Sequence, residues 1–266
     1  MSRQIAGLER VAGTVLFERR PNGVRQTPAG LTMLRHARVA LDALAAAERE
    51  LTGADSAAQE VRLGAYVSAG AALVPRVVSG MRGSHPHIRV TTREGTTPSL
   101  VRAIRAGSLD LAVITARPPY RPPDSELPRL QLSTLGEGAL LVAAAEHGAF
   151  AGRSSVGVDE LGDVDWIASA STGAEPLLGV WPGLAGRPRI VHSARDWLTK
   201  LQLVAAGCGL TTVPVAMAEA LPGGVRLLRV EGGPPERRRI MAARLPGKAR
   251  PEVAEVAEAL ARFAAG

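Results

Sequence analysis

Thiols are almost absent: Cys208 is the single cysteine among 266 residues, so neither an internal disulfide nor a thiolate-rich metal site can hold these residues together. Aromatic residues are scarce too. Three Trp, two Tyr and three Phe leave little from which to build the stacking platforms of a single-stranded nucleic-acid binder. The longest apolar run, Ala139 to Ala145, is far short of the ~20 residues that a membrane helix needs. Met1-Ser2-Arg3-Gln4 leads into no apolar secretory segment, so a cytoplasmic protein without a membrane partner is expected.

Signatures of catalysis are missing as well. His36, His85, His87, His147 and His192 are scattered, and the chain holds no His-Glu-x-x-His, no Gly-x-Ser-x-Gly and no phosphate loop ending in Gly-Lys-Ser/Thr. His85 and His87 lie two apart without a nearby cysteine or second acidic ligand, a poor start for a metal site. The expectation is a protein that is not an enzyme and needs no cofactor or metal. Arg237-Arg238-Arg239 precedes an apolar strand, and a solvated sheet edge is the ordinary reading of such a run.

What the chain does have is a 46% hydrophobic content and a net charge of +7 concentrated at one end. Met1 to Arg38 carries seven Arg against Glu9 and Glu18, while the remaining 228 residues carry 25 basic and 23 acidic side chains. A cationic end on a nearly neutral body suits a polyanion, since arginine contacts to phosphate release counterions.

Ile5, Leu8, Ala12 and Leu16 recur at three- and four-residue steps, predicting a short amphipathic helix ending near Gly13. Asn22-Gly23 between short extended runs predicts a β-hairpin, a small basic wing. Thr27 followed by Pro28 then marks a helix start, with the threonine as N-cap and the proline where its missing N–H costs nothing. That helix is expected to run to about Leu51. Leu34, Ala37, Leu41, Leu44 and Leu51 form a heptad seam, which favours a connecting and dimerising rod.

From Glu60 strands and helices alternate: a strand Val61 to Tyr66, a helix Ala71 to Arg82, a strand Ile88 to Thr92, a helix Pro98 to Ala106 and a strand Leu109 to Ile114. This βαβαβ order implies a parallel sheet with helices on its faces. After the Pro-rich Arg117 to Pro128 a second series follows, with strands at Ala139 to Ala144, Asp165 to Ala168, Arg189 to Val191 and Leu210 to Val213, and a helix Trp197 to Ala206. Two α/β lobes are therefore expected, with the strand Val225 to Val230 and the helix Glu252 to Phe263 returning toward the first. Crossovers at Thr115 to Arg117, near Gly136 and at Arg226 to Gly233 would make a hinge. A ligand between such lobes sits at the C-terminal ends of strands, where Ser68, Thr96, Thr97 and Thr115 fall on one side and Ser169, Ser171 and Thr172 on the other. Hydroxyls there can donate to a carboxylate or similar anion, and N-capping competes for Ser68, Thr96 and Thr97.

The strings Ser2-Arg3-Gln4-Ile5, Leu8-Glu9, Leu16-Phe17-Glu18-Arg19 and Thr27-Pro28-Ala29-Gly30 resemble LysR-type transcriptional regulators. The resemblance continues through Val61-Arg62-Leu63-Gly64, Leu73-Val74-Pro75, His85-Pro86, Glu94-Gly95, Gly107 to Val113, Leu203 to Gly207, Gly209-Leu210 and Val213-Pro214. It implies an α/β chain in three parts. Residues 1–27 would be a partial winged helix-turn-helix, 28–54 a long linker helix, and 60–266 a two-lobed effector-binding domain shaped like a periplasmic binding protein. Lobe I would take 60–134 and 231–266, and lobe II 135–230. The family pattern has roughly thirty residues before the match to Ser2, comprising two helices and the start of the recognition helix. The resemblance implies operator DNA as partner, contacted by Arg3 on the recognition helix and by Arg19, Arg20 and Arg25 at the wing. It also implies a small-molecule effector at Ser68, Thr97 and Thr115, and assembly as a homodimer or homotetramer. The alternatives are a stand-alone small-molecule-binding module or a decayed regulator without autonomous DNA binding. An extracytoplasmic solute-binding protein would share the lobes but leave wing and rod unexplained.

Overall fold

The structure, a computed structural model, describes residues 3–20, 23–34, 36–37, 40, 59–169, 178–184, 186–233 and 236–265. Helix α1 (Arg3–Ala12) ends at Gly13, and strands β1 (Phe17–Arg20) and β2 (Gly23–Gln26) pair antiparallel. Gly23 pairs with Arg20 as the first residue of β2, one position outside the turn that Asn22-Gly23 suggests. The turn between helix and wing is held by Glu9, whose Oε1 accepts from Leu16 N at 2.8 Å and Phe17 N at 3.1 Å.

Helix α2, described over residues 28–34, 36–37 and 40, opens as Thr27 and Pro28 predict. The Thr27 hydroxyl accepts from Gly30 N at 3.0 Å and donates to Val15 O at 2.7 Å, tying the cap to the wing's approach. Leucines 41 to 51 of the heptad seam, and the rod they suggest, lie outside the described residues.

The first lobe is built on β3 (Gln59–Ala65), β4 (Ile88–Glu94) and β5 (Leu111–Ala116), parallel in the order β4-β3-β5. Helices α3 (Val67–Ala72) and α4 (Val74–Ser84) replace the single helix expected over Ala71 to Arg82. The reason is Pro75 in the first turn of α4, which has no N–H to continue the ladder from α3. On one face Val61 and Leu63 bury against Val77 and Met81 of α4 and against Val256 and Leu260 of α7 (Pro251–Ala265). On the other, Leu100 and Ile104 of α5 (Thr97–Arg105) cover Ala112 and Ile114. Each fully buried Val or Leu contributes about 1.5–3 kcal/mol.

The 15-residue strand β6 (Gln131–Ala145) joins the lobes. Its first part pairs with β12 (Arg237–Arg244) and its last part with β10 (Thr211–Pro214) and β11 (Val225–Glu231). The second lobe adds β7 (Ser155–Gly157), β8 (Asp165–Ala168), β9 (Arg189–Ser193) and helix α6 (Trp197–Ala205). Alternation along β6 splits its core: Val142 and Ala144 pack with Trp166 and Leu228, and Ala143 with Ile167, Leu201 and Val213.

Two expectations are corrected here. β11 stays in the second lobe, paired with β6 and β7, and the return to the first is made by β12. Arg237-Arg238-Arg239 is no solvated edge, because β12 lies between β5 and β6. Charge alone misleads at these positions because the strand passes between the lobes, where alternate side chains meet either Glu137 or the cavity.

Candidate functional site

Parallel pairing of β4-β3-β5 brings three chain segments to one edge of the sheet: Tyr66 to Ser68, Thr96 to Thr97, and Thr115 to Arg117. Between the last of these segments and residues 178–184 of the second lobe lies a cavity of about 500 Å³, whose lining includes neither Tyr66 to Ser68 nor Thr96 and Thr97. Thr115, Ala116, Arg117 and Arg238 form one side. Leu178, Val180, Trp181 and Leu184 form the other.

Backbone geometry fixes that second wall. Gly179 has φ +110°, and a Cβ there would lie 2.6 Å from Ile167 O. Its carbonyl accepts from Thr212 N at 3.0 Å and from the Thr211 hydroxyl at 3.3 Å. Trp181 and Val180 are thereby held buried against the second-lobe core.

Two buried polar atoms at the cavity lack a hydrogen-bond partner among the described residues, Thr115 Oγ1 and Arg238 Nε. Burial is the main cause that holds the Arg238 pKa below its ordinary value, and the charge of Arg117 pushes in the same direction. Glu236 opposes them. Tyr66 is pushed up to about 12, first by burial, with Arg238 and the Ser68 hydroxyl pulling the other way. Among the described residues the cavity lining thus presents two guanidiniums and the Thr115 hydroxyl, and no carboxylate.

The residues singled out from the sequence fare differently. Ser68 is buried on α3, the helix that packs on the short helical turn Val215–Ala220 of the second lobe. Thr96 caps α5, its side chain accepting from Ser99 N at 3.4 Å. Thr97 accepts from Thr115 N at 3.3 Å and donates to Thr115 O at 3.4 Å, so its hydroxyl positions the neighbouring strand. Thr115 lines the cavity. Ser169 follows β8 and accepts from Lys200 Nζ at 2.8 Å, whereas Ser171 and Thr172 lie outside the described residues. At the N-terminal end Arg3 opens α1, Arg19 and Arg20 close β1, and Arg25 lies on β2 with its guanidinium 3.7 Å from Glu126.

Arg117, Arg238 and Trp181 were not singled out from the sequence. Strand alternation within Arg237-Arg238-Arg239 is a signal that could have separated the middle residue from its neighbours, but only with the strand's partners known.

A family model described as the LysR substrate binding domain matches residues 54–265. The chain belongs to the LysR family. Among relatives of this LysR-family chain is the transcriptional dual regulator GltC of Bacillus subtilis (strain 168), 32% identical over 115 residues, which cover 43% of this chain and 38% of GltC. The matched stretch therefore spans well under half of that regulator. Among solved structures, an H2O2-bound cysteine-to-serine mutant of Corynebacterium glutamicum OxyR is 25% identical, with a TM-score of 0.61 over 97% of this chain and 83% of that one. The BenM effector-binding domain with its effector benzoate shares the fold at 18% identity and a TM-score of 0.62, over 78% of this chain and 92% of that domain. The two α/β lobes of this LysR-family chain fall within the match to the LysR substrate binding domain and share the BenM domain's fold.

Proposed function

We propose that this chain is a cytoplasmic transcriptional regulator without enzymatic activity, which grips operator DNA through α1 and the wing and answers to a small molecule held between its lobes. The observation that carries the effector part is the interlobe cavity with its two unpartnered buried groups, Thr115 Oγ1 and Arg238 Nε. Unmet polar groups in a concave, largely apolar site are what a ligand with matching acceptors would satisfy. The supporting relatives are regulators by name, and BenM holds benzoate in the same fold.

DNA binding is supported by the arginine-rich end and the β1-β2 wing, where a guanidinium can bridge phosphates. Effector binding would favour one arrangement of lobes or subunits in a homodimer or homotetramer, by no more than its differential affinity for the two states.

The test is a titration of the protein with the promoter DNA of its own gene at increasing salt. Affinity should fall linearly on a log–log plot, with a slope shallower by about 1 for each phosphate contact removed in Arg19→Ala and Arg25→Ala. Binding that ignores salt, or slopes unchanged by both substitutions, would take DNA contact away from the wing.

A further inference from the structure

The cavity is divided by polarity, and the division says what kind of molecule fits. At one end stand Arg117, Arg238 and Thr115, and at the other Leu178, Val180, Trp181 and Leu184. Among the described residues no acidic side chain lines it.

The charged end follows from the way β12 is built: Glu236 partly offsets the charge of Arg238, while Arg238 Nε is left without an acceptor among the described residues. Alternation sends Arg237 and Arg239 to the face where Glu137 of β6 lies, within 4.0 Å of Arg237 and 3.3 Å of Arg239. Arg239 also stacks 3.8 Å over the ring of Tyr120. That face has its countercharge. Arg238, on the other face, keeps a buried Nε–H without an acceptor, close enough to Arg117 to feel its charge. An anion between the two guanidiniums would supply the acceptor and relieve the repulsion together. Tyr66, beside Arg238, holds its proton up to about 12 and so adds no negative charge to oppose that anion.

The apolar end imposes the opposite demand. Val180 and Trp181 are buried, and among the described residues no charged side chain accompanies them along that wall. A second ionised group placed there would lose water and gain no partner. With the cleft taken as the effector site proposed above, we infer that it selects a single-headed organic anion. One carboxylate-like group sits between Arg117 and Arg238 within reach of Thr115, and an uncharged apolar body lies along Val180 and Trp181.

Calorimetric titration of the full chain with two matched probe sets tests this: benzoate, terephthalate and benzamide, then octanoate, suberate and octanamide. Each set keeps the body and changes only the heads. In at least one set the single-headed acid should bind about tenfold or more tightly than its two-headed and neutral counterparts. Arg238→Gln should weaken that acid by about tenfold or more, and so should Arg117→Gln, which alters an exposed side chain and keeps the test alive if the first variant unfolds. Arg237→Gln, on the opposite face, should leave its affinity unchanged. Equal or tighter binding of the two-headed or neutral probe, still weakened by Trp181→Leu, would overturn the single-headed inference and keep the cleft as the site. Binding indifferent to Arg117→Gln, Arg238→Gln and Trp181→Leu together would overturn both. No acid bound at millimolar concentration in either set would overturn the inference.

Discussion

Thr97 holds the backbone of Thr115 at both its amide and its carbonyl, through hydrogen bonds of 3.3 and 3.4 Å, and leaves the Thr115 hydroxyl as the buried group at the cavity. The two threonines therefore do different work, and substitution should separate them. Thr97→Val removes both bonds and is expected to cost about 0.5–1.5 kcal/mol of stability without ligand. Thr115→Val removes a hydroxyl that has no partner among the described residues, so the ligand-free protein should melt at the same temperature or higher. Both should lower affinity for a bound acid. Thermal melts with and without ligand read the contrast, and a large loss of stability from Thr115→Val would refute it.

At the N-terminal end Gly30 lies against Leu16. A Cβ on Gly30 would stand 2.1 Å from Leu16 O, a rigid backbone atom, so Gly30→Ala must push α2 away from the wing's approach. The expected cost is about 1–3 kcal/mol. Thr27→Ala should cost about 1 kcal/mol through the lost cap alone. Amide hydrogen exchange confined to residues 3–34 measures both, and a Gly30→Ala variant with unchanged protection would show that the chain yields there freely.

Arg105 is 5% exposed and paired with Asp124 through two 2.9 Å bonds, while its other N–H groups reach Pro128 O and Glu126 O. One guanidinium thus pins the Pro-rich segment to α5. Arg105→Met strands a carboxylate and two carbonyls, and a loss of about 3–5 kcal/mol is expected in urea unfolding. Arg105→Lys should recover only part of it, because an ammonium cannot reproduce the planar fork.

Lys200 is buried with Ser169 as its hydrogen-bond partner, and burial pulls its pKa from the ordinary 10.5 down to about 8. The unfolded chain therefore holds this proton more tightly than the folded one. The resulting penalty is full below pH 8 and fades as pH rises from about 8 to 10.5. Lys200→Met should raise the melting temperature at pH 7 relative to the wild type, with the advantage shrinking across that window. An advantage independent of pH would assign the effect to packing.

Much of this protein can be read from residue order alone. Short apolar runs bounded by turn signals place β3, β5 and β8 because strands covered on both faces read as near-continuous apolar stretches, and the Thr27-Pro28 pair marks the start of α2 because capping and proline geometry act over one turn. Thr115 could be placed at the cavity since parallel strands deliver their C-terminal ends to one edge. Thr97 could be placed beside it, but nothing in the sequence says that its hydroxyl is taken up by the backbone of Thr115.

Tertiary structure decided the rest. The length of β6, its passage between lobes and the return through β12 depend on pairings between residues about a hundred positions apart, such as Arg239 with Glu137. The same pairings turn Arg237 and Arg239 toward Glu137 and leave Arg238 at the cavity with its Nε–H unpartnered among the described residues. Three identical side chains in a row carry no local information about which will be neutralised. That difference arises only when β5, β6 and β12 come together, because alternation along β12 has meaning only relative to what lies on each face.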